Sequence, residues 1–217
     1  LQLDVGSDVD LRVIHRGAAN GNYKDFDNIS VRLAEEDRSV NGNGLQVFGS
    51  ITKNPVATGA DLVAYTDFAD NTNYFYQPPN ADMDFGTGDF SVMLWHYYEN
   101  ATLNDTIYFA SGRSSEYSWQ VGAAGSDSSY LWIIGGGINA RSAANSVIEQ
   151  AWTHLTFVRR NGVTEIWVNG VLRETDTDST DLNSNLGIEM PLSSACGDGN
   201  DLLSLLRISA TAPTADQ

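Results

Sequence analysis

The sequence predicts an all-β protein: an antiparallel β-sandwich preceded by a smaller β-rich segment. Three observations predict it. Residues 85–95, FGTGDFSVMLW, leave a Gly-Thr-Gly-Asp turn and alternate, Phe90, Val92 and Leu94 on one side and Ser91, Met93 and Trp95 on the other; a period of two is the signature of a strand. Residues 151–172, AWTHLTFVRRNGVTEIWVNGVL, place two apolar runs around Arg159-Arg160-Asn161-Gly162 and end the second in Asn169-Gly170. Asn-Gly supplies the positive φ angles of a tight hairpin turn, so those strands run antiparallel. Composition agrees: 20 glycines, nine tyrosines, eight phenylalanines and five tryptophans in 217 residues suit many strands and many turns.

In chain order, LQLDV, DLRVIHR and NISVRLA read as short alternating strands between Gly- and Asn-rich turns. Residues 40–56, VNGNGLQVFGSITKNPV, alternate more sharply, with Leu45, Val47 and Ile51 apolar. ATGA (57–60) is the expected boundary, giving a stem or adaptor over 1–60 and a sandwich over 61–217. A region this small and this poor in bulky side chains would be marginal alone, which favours partner chains. The alternatives are a small independent β-module or extra strands on the sandwich edge. DLVAYTDF (61–68) leads into the sandwich, and Pro78-Pro79-Asn80 interrupts it, because proline cannot donate to a ladder. Further strands are expected near 74–77, 90–98, 106–111, 117–122, 130–135, 146–148, 152–159, 163–168, 171–174, 186–190 and 202–209. No segment offers a long amphipathic helix.

These segments resemble the laminin-G-like, concanavalin-A-like jelly-roll superfamily. The resemblance is carried by the opening strand GTGDFSVMLW, by W-x-H-L-T-F-V-R at 152–159, by IWVNG at 166–170 and by LRIS at 206–209. It covers roughly residues 74–217 and implies a jelly roll. For function it implies little, since that sandwich carries lectins, glycosidases, adhesion modules and structural domains. The ending RISATAPTADQ, together with ADLVAY and DFGTGDFSVM, further resembles the version found in tailed-phage virion proteins, in fibres and related appendages. The G-L-x-V-x-G-x-I pattern at 44–51 is similar to fibre stems, which implies a homo-oligomer, most simply a trimer, joined through the N-terminal segment.

Charge narrows the partners. The formal net charge is −16, from 28 acidic and 12 basic residues, and beyond residue 75 there are 17 acids against six bases. Such a field repels nucleic acid and favours solubility. No run of 18 apolar residues suggests a membrane span. The single cysteine, Cys196, cannot form an internal disulfide, which fits maturation in a reducing cytoplasm, where phage particles assemble. The first residues, LQLDVG, lack a methionine and a signal-peptide pattern, and the chain stops just after a strand, so both ends are expected to be edges of a longer polypeptide.

Chemistry is sparse. Glu174, Asp176, Asp178 and Asp181 are the best metal candidates, since calcium wants several oxygens along a loop. As an EF-hand the run fails: Asp181 and Gly187 stand where glycine and glutamate belong. A solvated acidic loop is the plainer reading, and Asp198-Gly199-Asn200-Asp201 reads as a turn. No cofactor is expected. A glycosidase would need two carboxylates across a groove, and the E-x-D-x-x-E string of laminarinase-type members is missing; Glu165 stands alone on its strand and Glu35-Glu36-Asp37 lies outside the sandwich. His15, His96 and His154 are the only histidines, no G-x-S-x-G elbow occurs, and His154 reads as a packing residue. The chain is therefore expected not to be an enzyme.

Aromatic rings are the remaining asset, because sugars stack on exposed tryptophan and tyrosine. Tyr117 and Trp119 share a face with Val121, and Tyr130 and Trp132 with Ile134. The loop between them, 122–129, suggests a hairpin that pairs those faces. Tyr117, Trp119, Tyr130 and Trp132 are the candidate saccharide platform, although burial is the commoner fate of any one of them. Trp95 and Trp152 are assigned to the core on their apolar neighbours. Three functions compete: a non-enzymatic virion protein with a sandwich that binds host-surface glycan or neighbouring virion proteins; a secreted bacterial carbohydrate-binding or adhesion module; and, least favoured, a glycoside hydrolase.

Overall fold

The computed structural model describes residues 45–69, 72–99, 106–112, 118–135, 137–182, 186–190 and 201–214. Two antiparallel seven-stranded sheets face one another, a concanavalin-A-like jelly roll. In chain order the strands are β1 (Gln46–Phe48), β2 (Thr52–Pro55), β3 (Val63–Thr66), β4 (Tyr74–Gln77), β5 (Phe90–Tyr97), β6 (Thr106–Ser111) and β7 (Trp119–Ala124). They continue with β8 (Ser129–Ile134), β9 (Gly137–Arg141), β10 (Trp152–Arg160), β11 (Val163–Val168), β12 (Val171–Thr177), β13 (Ile188–Met190) and β14 (Leu202–Ser209). Sheet A runs β1-β4-β13-β6-β7-β8-β9 and sheet B runs β12-β11-β10-β5-β14-β3-β2.

The two Asn-Gly turns form as expected. Arg160 pairs with Val163 across Asn161-Gly162, and Val168 with Val171 across Asn169-Gly170. All four turn residues have positive φ, from 49° to 75°, the backbone a two-residue hairpin of this kind requires. The 146–148 segment is not a strand. Asn145 turns the chain at φ 60°, and Val147 N–H then donates to the Ser128 carbonyl, pinning these residues to the β7–β8 turn. Sequence reading passes over β9, a short polar edge strand whose GINAR lacks an apolar alternation.

Residues 45–56, read from sequence as part of the stem, are edge strands of the sandwich. β1 pairs with β4 in sheet A and β2 with β3 in sheet B. The physical reason is local: Phe48 stacks on Tyr74 at 4.6 Å, giving β1 a partner within its own sheet. Residues 1–44, which carry the rest of the stem expectation, lie outside the described residues.

The core lies between the sheets. Phe90, Val92 and Leu94 of β5 and Leu155 and Phe157 of β10 face Trp119, Val121, Tyr130 and Trp132 of sheet A, all of them buried. Phe90 is the hub: it stacks on Phe85 at 4.4 Å and meets Trp119 at 5.4 Å and Trp132 at 5.5 Å. Arg159, with 0% exposure, stands over the same ring at 5.2 Å. Its guanidinium donates to the Gly86, Gly88 and Thr180 carbonyls and to Asp178 Oδ2 at 3.0 Å. A fully buried cation is tolerable only when paired and hydrogen-bonded in this way, and the network ties the turn before β5 to the segment after β12.

Candidate functional site

Strand parity decides which rings can meet a ligand. Because Phe90, Val92 and Leu94 point inward, Met93, Trp95 and Tyr97 must point outward. Thr153, Leu155 and Phe157 are buried on β10, so Trp152, His154 and Thr156 share the outer face with Met93, Trp95 and Tyr97. The register sets these side chains side by side, Trp152 opposite Tyr97 and His154 opposite Trp95. Ring centroids are 5.7 Å apart in the first pair and 5.2 Å in the second. Trp95 is 37% exposed; Tyr97, Trp152 and His154 are half-buried. Burial holds the His154 imidazole below its ordinary value.

The Trp152–Tyr97 row continues across the sheet. Tyr97 pairs with Leu202 on β14, and the Leu203–Tyr65 pairing brings the next residues, Leu202 and Thr66, together; Thr66 then pairs with Thr52. Five side chains from five strands thus form one transverse row, about 19 Å across four strand spacings. They floor a groove of about 560 Å³ that Asn54, Val56, Asp67 and Glu99 complete. Asp67 closes β3 in the left-handed region, φ 64°, and its carbonyl accepts from Asn73 Nδ2 at 2.8 Å. Glu99 is fixed through its backbone, whose N–H donates to Asp201 Oδ1 at 3.2 Å. Both carboxylates are exposed at the rim. On β14 a bulge between Ser204 and Arg207 puts Leu205 at φ 50° and half exposed near this face; bulges re-aim side chains in this way.

The expected platform is corrected. Trp119, Tyr130 and Trp132 do lie on one hairpin with paired faces, Val121 opposite Trp132 and Ala123 opposite Tyr130, but that face is the inner one. Their exposures are 1%, 0% and 0%, so no sugar can stack on them. Burial pushes the Tyr130 phenol up to about 12. Tyr117 lies outside the described residues. The assignment of Trp95 and Trp152 to the core is corrected too: their strand neighbours Leu94, His96 and Thr153 point the opposite way. The signal that finds them is parity counted from Phe90 and Leu155.

The acidic run begins on a strand, and its last two members, Asp178 and Asp181, follow that strand. Glu174 and Asp176 lie on β12 and accept from the neighbouring N–H groups of Thr175 and Thr177. Asp178 turns inward onto Arg159 and also accepts from Thr180 N–H. Among the described residues no group of three His, Cys, Asp or Glu side chains is placed to hold a metal ion, and no helix is long and apolar enough to cross a membrane. Glu165 sits on the outer face, accepting from Trp167 Nε1 at 2.8 Å and 3.5 Å from Arg160. A histidine–carboxylate pair does exist, His96 Nε2 3.6 Å from Asp201 Oδ2 with Tyr108 Oη 3.0 Å from Nδ1, but it is sealed inside the sandwich.

Residues 69–201 match the concanavalin A-like lectin/glucanases superfamily, and the chain belongs to it. No curated protein matches. Among solved structures, the chain is similar to the binding domain of botulinum neurotoxin D/C solved with SialylT (15% identity, TM-score 0.59, 82% of this chain and 46% of that one). It is equally similar to a structure of botulinum neurotoxin type C, whose cell entry depends on interaction with two ganglioside molecules (13%, 0.58, 82% and 46%). Domain 4 of AbnA, a GH43 extracellular arabinanase from Geobacillus stearothermophilus, solved with arabinotriose, gives 19% and 0.54 over 80% of this chain and 85% of that one. The chain spans less than half of the neurotoxin chains it matches. At these identities the likeness is one of fold.

Proposed function

We propose that this protein is a non-enzymatic glycan-binding module whose ligand lies across the outer face of sheet B. One observation carries the reading: the transverse row from Trp152 to Thr52, with half-buried rings at one end and hydroxyls at the other, floors an open groove. Rings offer faces to the C–H surface of a sugar, and Thr52, Asn54, Asp67 and Glu99 offer partners for its hydroxyls. The similar structures solved with SialylT and with arabinotriose support it. A non-catalytic role is supported by the setting of the groove carboxylates, which are exposed and lack the apolar enclosure that lets a carboxylic acid keep its proton for catalysis. The sealed His96–Asp201 pair has no open side on which a substrate could sit.

The finer reading is a tailed-phage virion protein, in a fibre, spike or decorating appendage, that meets a host-surface glycan and assembles as a trimer through the N-terminal segment. The resemblance of its opening and closing strands supports it, as does the single cysteine. A trimer contact would draw on the segment ahead of β1, since residues 46–55 are spent on sheet pairing. The second reading, a carbohydrate-binding module of a secreted bacterial protein, is favoured by the arabinanase domain, of which this chain covers 85%. Both share the groove. A glycan array probed with the wild-type chain and with Trp152→Ala tests that common part. Saccharide signal lost in a variant of unchanged melting temperature is the expected result, and a signal indifferent to Trp152 rules the groove out as the binding site.

A further inference from the structure

The composition of the groove says which glycans it accepts. Its lining holds two carboxylates, Asp67 and Glu99, two rings, Tyr97 and Trp152, and no lysine, arginine or histidine. Among the described residues neither carboxylate has an ion-pair partner. Three acidic groups elsewhere on this protein are matched by arginine: Asp127 by Arg141 at 2.6 Å, Asp178 by Arg159, Glu165 by Arg160. Unmatched carboxylates beside accessible aromatic faces attract an organic cation twice, by charge and by the negative π-face of each ring. The net charge of −16 adds a long-range field of the same sign. A sulfated or carboxylated glycan meets the reverse of every one of these terms.

We propose that the groove selects glycans bearing a protonated amine, that is, amino sugars left without an N-acyl group. The proposal rests on the glycan-binding reading and adds its ligand class. The ammonium sits between the Asp67 and Glu99 carboxylates while the pyranose ring lies against Trp152 and Tyr97. Geometry supports the division of labour: the rings form the floor of the row, and the carboxylates stand at its rim, where a substituent on the sugar can reach them.

The test compares two chemically defined probes on the full chain by calorimetry at mildly acidic pH: a glucosamine tetrasaccharide and its fully N-acetylated counterpart. The amine form is expected to bind about tenfold more tightly at low salt. That preference should vanish near 1 M salt, where screening acts within about 3 Å. Asp67→Asn with Glu99→Gln should abolish the preference while moving the net charge only from −16 to −14, and Trp152→Ala should weaken both probes. A preference that survives the double substitution is not set by Asp67 and Glu99, is bulk attraction to an acidic protein if it is then lost at 1 M salt, and in either case overturns the proposal. So does binding of the two probes with equal affinity, which leaves the glycan reading standing. Failure of either probe, and of neutral oligosaccharides, to bind at all sinks both readings. Should the double variant fail to fold, either single change at these exposed positions, Asp67→Asn or Glu99→Gln, decides between the outcomes, since bulk attraction barely responds to one charge in sixteen.

Discussion

Four of the five tryptophans divide into two pairs that the sequence presents almost identically. Trp119 and Trp132 lie in apolar strands of sheet A, and Trp95 and Trp152 in apolar strands of sheet B. The first pair is sealed against Phe90 and Phe157; the second pair stands on the outer face with Tyr97 and His154. Neither hydropathy nor ring count separates them. Parity does, because in a sandwich each strand has one face toward the other sheet and one away from it. The inner pair can serve only stability, and the outer pair is free to serve recognition.

The largest effect expected from this contrast is on the inner pair. Trp132→Ala should cost about 3–5 kcal/mol, from lost burial and the cavity left between Phe90 and Phe157; a denaturant titration that finds less than about 1 kcal/mol would place that ring at the surface. Next is Arg159→Met, which strands the Asp178 carboxylate in the core. Breaking a buried pair from one side costs about 3 kcal/mol or more, and restoring much of that loss with Asp178→Asn in the same chain would show that the orphaned charge is the cause. On the outer face Trp95→Ala and Trp152→Ala should each change stability by no more than about 1 kcal/mol, and a cooperative loss as large as that of Trp132→Ala would erase the distinction.

The smallest effect concerns pH. Burial lowers the His154 pKa in the folded protein, so the unfolded chain binds the proton more readily. The stabilising contribution of neutral His154 is therefore fully present above the unfolded imidazole value of about 6.5 and is lost as pH falls from there through the lower folded value. Melting curves from pH 8 to 5 should show a modest decline that His154→Gln reduces. An unchanged decline would assign it to other groups.

Much of the fold was legible because its signals are local. The alternation after Gly88, the two Asn-Gly turns and the LRIS strand each appear at the expected residues. The site was less so. The apolar runs that hold Trp95 and Trp152 suggested burial, yet it is Leu94, His96 and Thr153 beside them that are buried, and only the register across β5, β10 and β14 reveals the outer row. The groove also draws Thr52 and Asn54 from a segment whose repeat-like pattern suggested a stem. Bringing residue 52 and residue 152 to one groove depends on strand order, and strand order is non-local. The role of Asp178 was hidden for the same reason: it reads as part of a solvated loop until Arg159, 19 residues away in sequence, is found to hold it.

The central claim, that the outer tryptophans recognise sugar and the inner ones do not, can be read in a single spectrum. The five indole N–H groups give separable proton–nitrogen resonances, assignable by single Trp→Phe changes. Titration with the glucosamine tetrasaccharide and with neutral oligosaccharides such as arabinotriose should move the Trp152 signal saturably, with Trp95 on the same face shifting less, and leave those of Trp119 and Trp132 in place. Saturable shifts at Trp119 and Trp132 with Trp95 and Trp152 still, or binding that moves none of the four, would contradict that claim.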